Sequence, residues 1–484
     1  MPSPTPPAGP SRSYCPSARY KKDPVAYEFP VGGDFSVVQT THDGRDYNDG
    51  YQEVKTVGEI HLRRLQKGSK VGDGKGYITV DISVSHPEIQ VEWTLEQDFR
   101  FLKVSTPRFA KLGNTGPHCA SLDIVAWLPE DAALTSLSLS SVTLELRVLD
   151  DIKIEVSGDS KLTSVTGNIY FPPPSSPYMR DLLFSEPAFR FRSRRIEVET
   201  VSGNISGLYP LLDYLRLVSH SGDIDVTVLP HDALPSYPAP ADLDIYTTSG
   251  DVNVYLPVSS NQDPEYTPPP RDYTTKVGSV SGDISGTYYL GSFGEFETRS
   301  GDVKMKILPV VQYGSSENPD KDPRISFRTD SISGSIKVEM LDPIFISPIT
   351  NGFPNQHDVP TPHQPIGDDD PYLFIPEAGK LFSKVSTSNS MAKKLRSLDS
   401  SHATKSGDIE IHYPDAWEGS VFGKTTTGTI LFEGKDLEVI KAHKGLVQKE
   451  VLARKRVDSG LVGSSDVLST VTGDIWFVAG AKKS

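Results

Sequence analysis

The sequence predicts an all-β protein: a parallel β-solenoid (β-helix) of about 20-residue coils, with a β-rich N-terminal capping segment and disordered inserts. Three observations predict it. A short string, Ser or Thr, then Gly, then Asp, Asn, Ser or Thr, then Ile or Val, occurs ten times, with its glycine at Gly167, Gly203, Gly222, Gly250, Gly282, Gly301, Gly334, Gly407, Gly428 and Gly473. Apolar and polar residues alternate on both sides of that glycine, as in Leu215, Leu217 before Gly222 and Ile224, Val226, Val228 after it. The shortest full intervals are 19 residues, from Gly203 to Gly222 and from Gly282 to Gly301, and 21 from Gly407 to Gly428.

Three segments follow in chain order. Residues 1–50 are rich in Pro, Ser, Gly and Asp with little periodicity, which predicts a disordered arm. Residues 51–150 read as a β-rich cap: Ile78, Val80, Ile82 and Val84 face one way, while Tyr77, Thr79, Asp81 and Ser83 face the other. Further on, Leu137 and Leu139, then Val142, Leu144, Leu146 and Val148, mark two runs with a bulge or turn at Ser140 and Ser141. Residues 151–480 hold the repeats, with an imperfect copy at Gly158. Stretches rich in Pro, Asp, Ser and Asn at 172–190, 257–273, 308–323 and, longest, about 341–400 read as inserts that leave the stack as loops.

Each recurring residue type has a physical role in such a stack. Glycine permits φ > 0 at a sharp corner, and the Asp or Asn after it hydrogen-bonds local backbone in an Asx-type turn. Three residues before each glycine stands a hydroxyl: Ser164, Thr200, Ser219, Thr247, Ser279, Thr298, Ser331, Thr404, Thr425 and Thr470. Facing inward about 4.8 Å apart, these hydroxyls are expected to satisfy one another and the corner backbone, as a structural ladder rather than as nucleophiles.

Composition excludes some functions. With 49 basic against 63 acidic residues the net charge is −14, so the chain lacks the positive field that draws proteins to nucleic acid or anionic membranes. No apolar run is long enough for a signal peptide or a membrane span, which makes the cytoplasm the default compartment; a cell-surface location requires an anchor upstream. Cys15 and Cys119 form neither a disulfide framework nor a metal-ligand spacing. The histidines are dispersed, His357 and His363 in a Pro-rich insert included. No nucleotide-binding or nucleophile-elbow motif is present, so no cofactor is expected.

Chemistry has one candidate in the repeats. Asp223, Asp251, Asp283, Asp302, Asp408 and Asp474 occupy equivalent corners; a turn role explains them, and the sharper alternative is a row of weak Ca²⁺ sites. Polysaccharide-cleaving enzymes also work through paired carboxylates, but no pair is singled out. Two basic clusters, Arg190, Arg192, Arg194 and Arg195, and Lys449 to Arg456, read as solvated faces, with contact to an anionic polymer as the alternative. Asn204, Ile205 and Ser206 form a glycosylation sequon, meaningful only on export.

The ten strings SVTGNI, TVSGNI, SHSGDI, TTSGDV, SVSGDI, TRSGDV, SISGSI, TKSGDI, TTTGTI and TVTGDI resemble the adhesin family of Gly-Asp-Ile repeat proteins, a domain of unknown function with bacterial and fungal members. The resemblance covers about 150 to 478, and LDIVAWLPEDAALTSLSL also looks like a family element. It implies a β-solenoid without established catalytic residues. The long inserts resemble the fungal branch, whose members often carry a membrane span before the repeats; this sequence has none. The expected function is therefore non-enzymatic and adhesin-like, presenting an extended surface to a glycan or a protein. A carbohydrate-active enzyme and a scaffold self-associating through solenoid ends are the alternatives.

Overall fold

A computed structural model describes residues 15–43, 51–66, 68, 71–72, 74–96, 100–113, 116–173, 189–234, 238–258, 266–312, 324–346, 394–445, 447–455 and 463–480. The described residues are all-β, without a helix, and their strands gather into two large, mostly parallel sheets that are not closed into a barrel. Within the repeats the chain alternates between the sheets: Arg190–Thr200 lies in one and Ile205–Leu211 in the other, then Tyr214–Ser219 returns to the first and Ile224–Pro230 to the second. One strand from each sheet makes a rung.

Successive rungs stack in register. Val198, Leu217, Ile245, Val277, Phe296 and Thr329 form one inward column, each directly paired with the next. Ile205, Ile224, Val252, Ile284, Val303 and Ile336 form its counterpart on the facing sheet. All are buried, and all but the polar Thr329 belong to one continuous hydrophobic core. Each apolar one contributes on the order of 1.5–3 kcal/mol by leaving water. On the outer face of the first sheet, Lys161, Glu197, Arg216, Asp244, Lys276, Glu295 and Arg328 stand in direct register, so charge alternates along the column.

The rungs do not follow chain order at either end. The last rung, Ser464–Thr472 with Ile475–Ala479, lies between Leu398–Ser406 with Ile409–Tyr413 and Gly419–Thr427 with Ile430–Gly434. The first, Asp34–His42 with Tyr51–Arg64, lies between Phe101–Pro107 with His118–Leu128 and Ser136–Ser141 with Glu145–Val148. Antiparallel strands cover the outermost rungs: Glu92–Glu96 and Lys75–Val84 at one end, Lys449–Lys455 at the other.

Four sequence readings change. Within residues 1–50, Tyr20–Lys21, Val25–Pro30 and Asp34–His42 are strands rather than a disordered arm, because DFSVVQTTH finds its partners at 101–107 and 136–141, far beyond any local signal. Cys15 and Cys119 form a disulfide with Cα atoms 6.0 Å apart. The insert assigned to about 341–400 contains Ile344–Ile346 and the start of Leu398–Ser406, while 347–393 lies outside the described residues.

The fourth change concerns why glycine recurs. Only Gly407, Gly428 and Gly473 among the ten corner glycines have positive φ, at 154°, 141° and 152°. The common constraint is close backbone approach: a Cβ on Gly282 would sit 1.9 Å from the carbonyl oxygen of Gly250, and one on Gly301 would sit 2.1 Å from that of Gly282. Every corner packs its Cα against a carbonyl of the neighbouring rung, which leaves no room for a side chain.

Candidate functional site

The residues that the repeat singles out are occupied in joining rungs. The hydroxyls of Thr200, Ser219, Thr247, Ser279, Thr298, Ser331, Thr404, Thr425 and Thr470 each donate to the carbonyl of a corner glycine on the adjacent rung, at 3.0 to 3.3 Å, and Ser164 reaches Leu144 at 3.4 Å. All ten are buried. They satisfy the corner backbone and not one another.

The acidic corner behaves likewise. Asp223 Oδ1 accepts the backbone N–H of Asp251 at 2.9 Å, Asp251 that of Asp283 at 2.9 Å, Asp283 that of Asp302 at 2.8 Å and Asp302 that of Ser335 at 2.8 Å. Asp408 accepts from Asp474 at 2.8 Å and Asp474 from Thr429 at 2.7 Å. The Thr429 N–H lowers the Asp474 carboxyl below its ordinary range. These bonds link rungs instead of closing an Asx turn, since stacking brings the next corner N–H into line. Asn168 and Asn204 carry the same ladder upstream, so the sequon asparagine is a ladder residue. Among the described residues no three His, Cys, Asp or Glu side chains are placed to hold a metal ion.

The ladder runs on into a constellation that spacing could not reveal. Glu145, whose Oε1 accepts from Asn168 Nδ2 at 3.4 Å, is paired directly with Glu59, Glu59 with Asp123, and Asp123 with Asp81. Next to this row, His61 Nε2 lies 2.9 Å from Glu59 and 3.3 Å from Asp123. Burial alone lowers the imidazole pKa, but its hydrogen bonds to Asp123 and Glu59 outweigh that and raise it. Arg147 lies 3.3 Å from Glu59 and 2.8 Å from Glu145, with its guanidinium 4.5 Å from the Tyr170 ring centre. Three carboxylates thus grip one imidazole and one guanidinium on the outer face. The residues come from strands far apart in the chain, and no motif joins them.

A second polar group is sealed in the core. His402 Nδ1 meets Thr329 Oγ1 at 2.7 Å and Nε2 meets Tyr413 OH at 3.0 Å; Tyr413 donates to Ser400 Oγ at 3.1 Å, and Ser400 donates to Asp466 Oδ1 at 2.9 Å. The composition is that of a nucleophile, base and acid, yet the serine bonds the acid rather than the base, and all three are buried. Burial pushes His402 down to about 3 and Asp466 up to about 7. Both are therefore neutral at mildly acid pH.

The basic clusters are engaged too. Arg190 pairs with Asp131, Arg194 with Asp213 at 2.8 Å and Arg195 with Asp159 at 3.5 Å, while Lys455 holds the Asp415 carboxylate at 2.8 Å. Arg456, His357 and His363 lie outside the described residues. A cleft of about 850 Å³ opens near the N-terminal end, lined by His42, Tyr51, Glu88, Gln90, Phe109 and Lys111 among others. Its residues come from the first rung and the cap, so only the fold assembles it.

No family model matches this chain, and no curated protein matches it. Among solved structures the chain is similar to a "putative cell adhesion protein" from Clostridium sporogenes, at 12% identity over 67% of this chain and 99% of that one, with a TM-score of 0.17. It is also similar to a "putative adhesin" from Parabacteroides merdae, at 11% identity over 67% of this chain and 94% of that one, with a TM-score of 0.19. No helix among the described residues is long and apolar enough to cross a membrane.

Proposed function

We propose that the two sheets are the faces of a β-solenoid and that the protein is an adhesin-like, non-enzymatic binder of glycans at the cell surface. The cleft beside His42, Tyr51 and Phe109 carries the reading. It brings the rings of Tyr51 and Phe109 together with Glu88, Gln90 and Lys111, which can bond sugar hydroxyls, in a shallow and largely open depression. The repeats, whose polar groups are occupied rung to rung, serve as the stiff support that displays it. The Cys15–Cys119 disulfide supports an oxidising compartment.

The test is a glycan array probed with the full chain, followed by Tyr51→Ala and Phe109→Ala. Binding that falls at least tenfold in both variants, with unchanged melting, supports the reading. Binding indifferent to both substitutions, or none to any glycan, sinks it. The Glu59, His61, Arg147 and Glu145 group favours a second reading, a polysaccharide-cleaving enzyme. Turnover abolished by both Glu59→Gln and Glu145→Gln would establish it.

A further inference from the structure

We propose that Asp466 is a buried polar key that places the last rung between its two neighbours, out of chain order. The backbone does not encode that order by itself. The repeats share a glycine corner, an inward hydroxyl and a parallel edge, and although Thr429 stands where Asp408 and Asp474 stand in their rungs, a hydroxyl corner also accepts the next N–H, as Ser335 does from Asp408, so the rung of Gly419–Thr427 could follow Leu398–Ser406 directly with a similar ladder. Something in the side chains must break the degeneracy.

Asp466 sits in direct register between Ser400 on one side and Val421 on the other. Equivalent positions in other rungs hold the apolar Ile196, Leu215, Leu243 and Phe327 or the small hydroxyls Ser160, Thr275 and Ser400, and Asp466 brings a carboxyl to the column. Its Oδ1 accepts from Ser400 at 2.9 Å, and His402 Nε2 lies 3.6 Å away. His402, in turn, is held by Thr329 and Tyr413. The polar interior groups thus come from consecutive rungs in the observed order. In chain order, Ser400 and His402 would face Val421 and Gly423, and Asp466, whose Oδ2 already has no hydrogen-bond partner, would also lose the Ser400 hydroxyl that holds its Oδ1.

The opposite end carries the same device independently. Gln39, fully buried on the displaced first rung, accepts through Oε1 from Val142 N at 2.9 Å, Thr143 N at 3.1 Å and Ser141 Oγ at 3.2 Å on one neighbour. Its Nε2 reaches Thr106 Oγ1 at 3.4 Å on the other. At both ends the out-of-order rung bears, besides the corner hydroxyl common to the repeats, a larger buried polar side chain that bonds a flanking rung.

Cysteine pairs in the full chain read the order directly. Ser406 and Thr472 are registered neighbours, exposed, with hydroxyls 3.2 Å apart, whereas Ser406 and Thr427 are separated by the inserted rung. The parent is expected to crosslink as Ser406→Cys with Thr472→Cys and not as Ser406→Cys with Thr427→Cys. Asp466→Asn, which keeps the acceptor, is expected to behave as the parent. Exchanging the key, Asp466→Val with Val421→Asp, is expected to bring the 419–427 strand beside Ser400 and reverse which pair crosslinks. Asp466→Leu alone is expected to lower the 406 to 472 crosslink severalfold. A folded exchange variant that still crosslinks 406 to 472 as the parent does overturns the proposal. If Asp466→Leu does not fold, the exchange variant decides.

Discussion

At the scale of single residues, the corner is set by steric contact and by a reused hydrogen bond. Gly282→Val places carbon against the Gly250 carbonyl, and a loss of about 3 kcal/mol in urea unfolding is expected. Asp283→Asn keeps the oxygen that accepts the Asp302 N–H and is expected to cost under about 0.5 kcal/mol. Equal losses from the two would refute the division of labour. The buried pair gives a pH signature. Asp466, raised to about 7, contributes stability present at low pH and lost as pH rises through 7; His402, lowered to about 3, contributes stability present above its ordinary 6.5 and lost as pH falls toward 3. The two slopes oppose between about pH 4 and 6.5. Relative to the parent, Asp466→Asn is therefore expected to gain stability with rising pH across that window, and His402→Gln to lose it; urea titrations at three pH values read the sign.

At the scale of strands, alternation marked the repeats, and the structure pairs them as the apolar positions require. What alternation does not reveal is a neighbour's outer face. The column from Lys161 to Arg328 alternates in charge only because rungs stack, and Arg216 Nη1 meets Asp244 at 2.8 Å within it. Arg216→Glu makes three consecutive acids and is expected to cost on the order of 1 kcal/mol at low salt, shrinking as salt is raised. Melting at two ionic strengths checks it, and a loss independent of salt counts against the column. The strand Asp34–His42 shows the limit of local reading: its Phe35, Val37 and Gln39 alternate inward, but Pro, Gly and Asp surround the run and its partners are 65 and 102 residues away.

At the scale of the molecule, the first and last described rungs are drawn into the stack, and the outermost rungs come from segments between them in sequence. Fraying from either end must first displace a covering antiparallel strand. The disulfide, spanning 104 residues, ties the first described residues to His118–Leu128. Reduction, or Cys119→Ser, is expected to lower stability by about 2–4 kcal/mol. Unfolding curves with and without reductant test this, and coincident curves would show that the bond contributes nothing.

The sequence by itself determined the all-β class, the corner glycines, the hydroxyls before them and the inward Ile and Val columns. Each of these repeats every 19 to 33 residues between most successive corners, and periodicity is visible in one dimension. Only the tertiary structure decided which rung lies beside which, why glycine is required, and how Glu59, His61, Arg147 and Glu145 meet, or how Ser400, His402 and Asp466 do. Identical repeats leave their order undetermined by periodicity. On our proposal order comes from unlike residues, such as Gln39 and Asp466, whose buried hydrogen bonds only particular neighbours supply, and those neighbours exist only once the chain has folded.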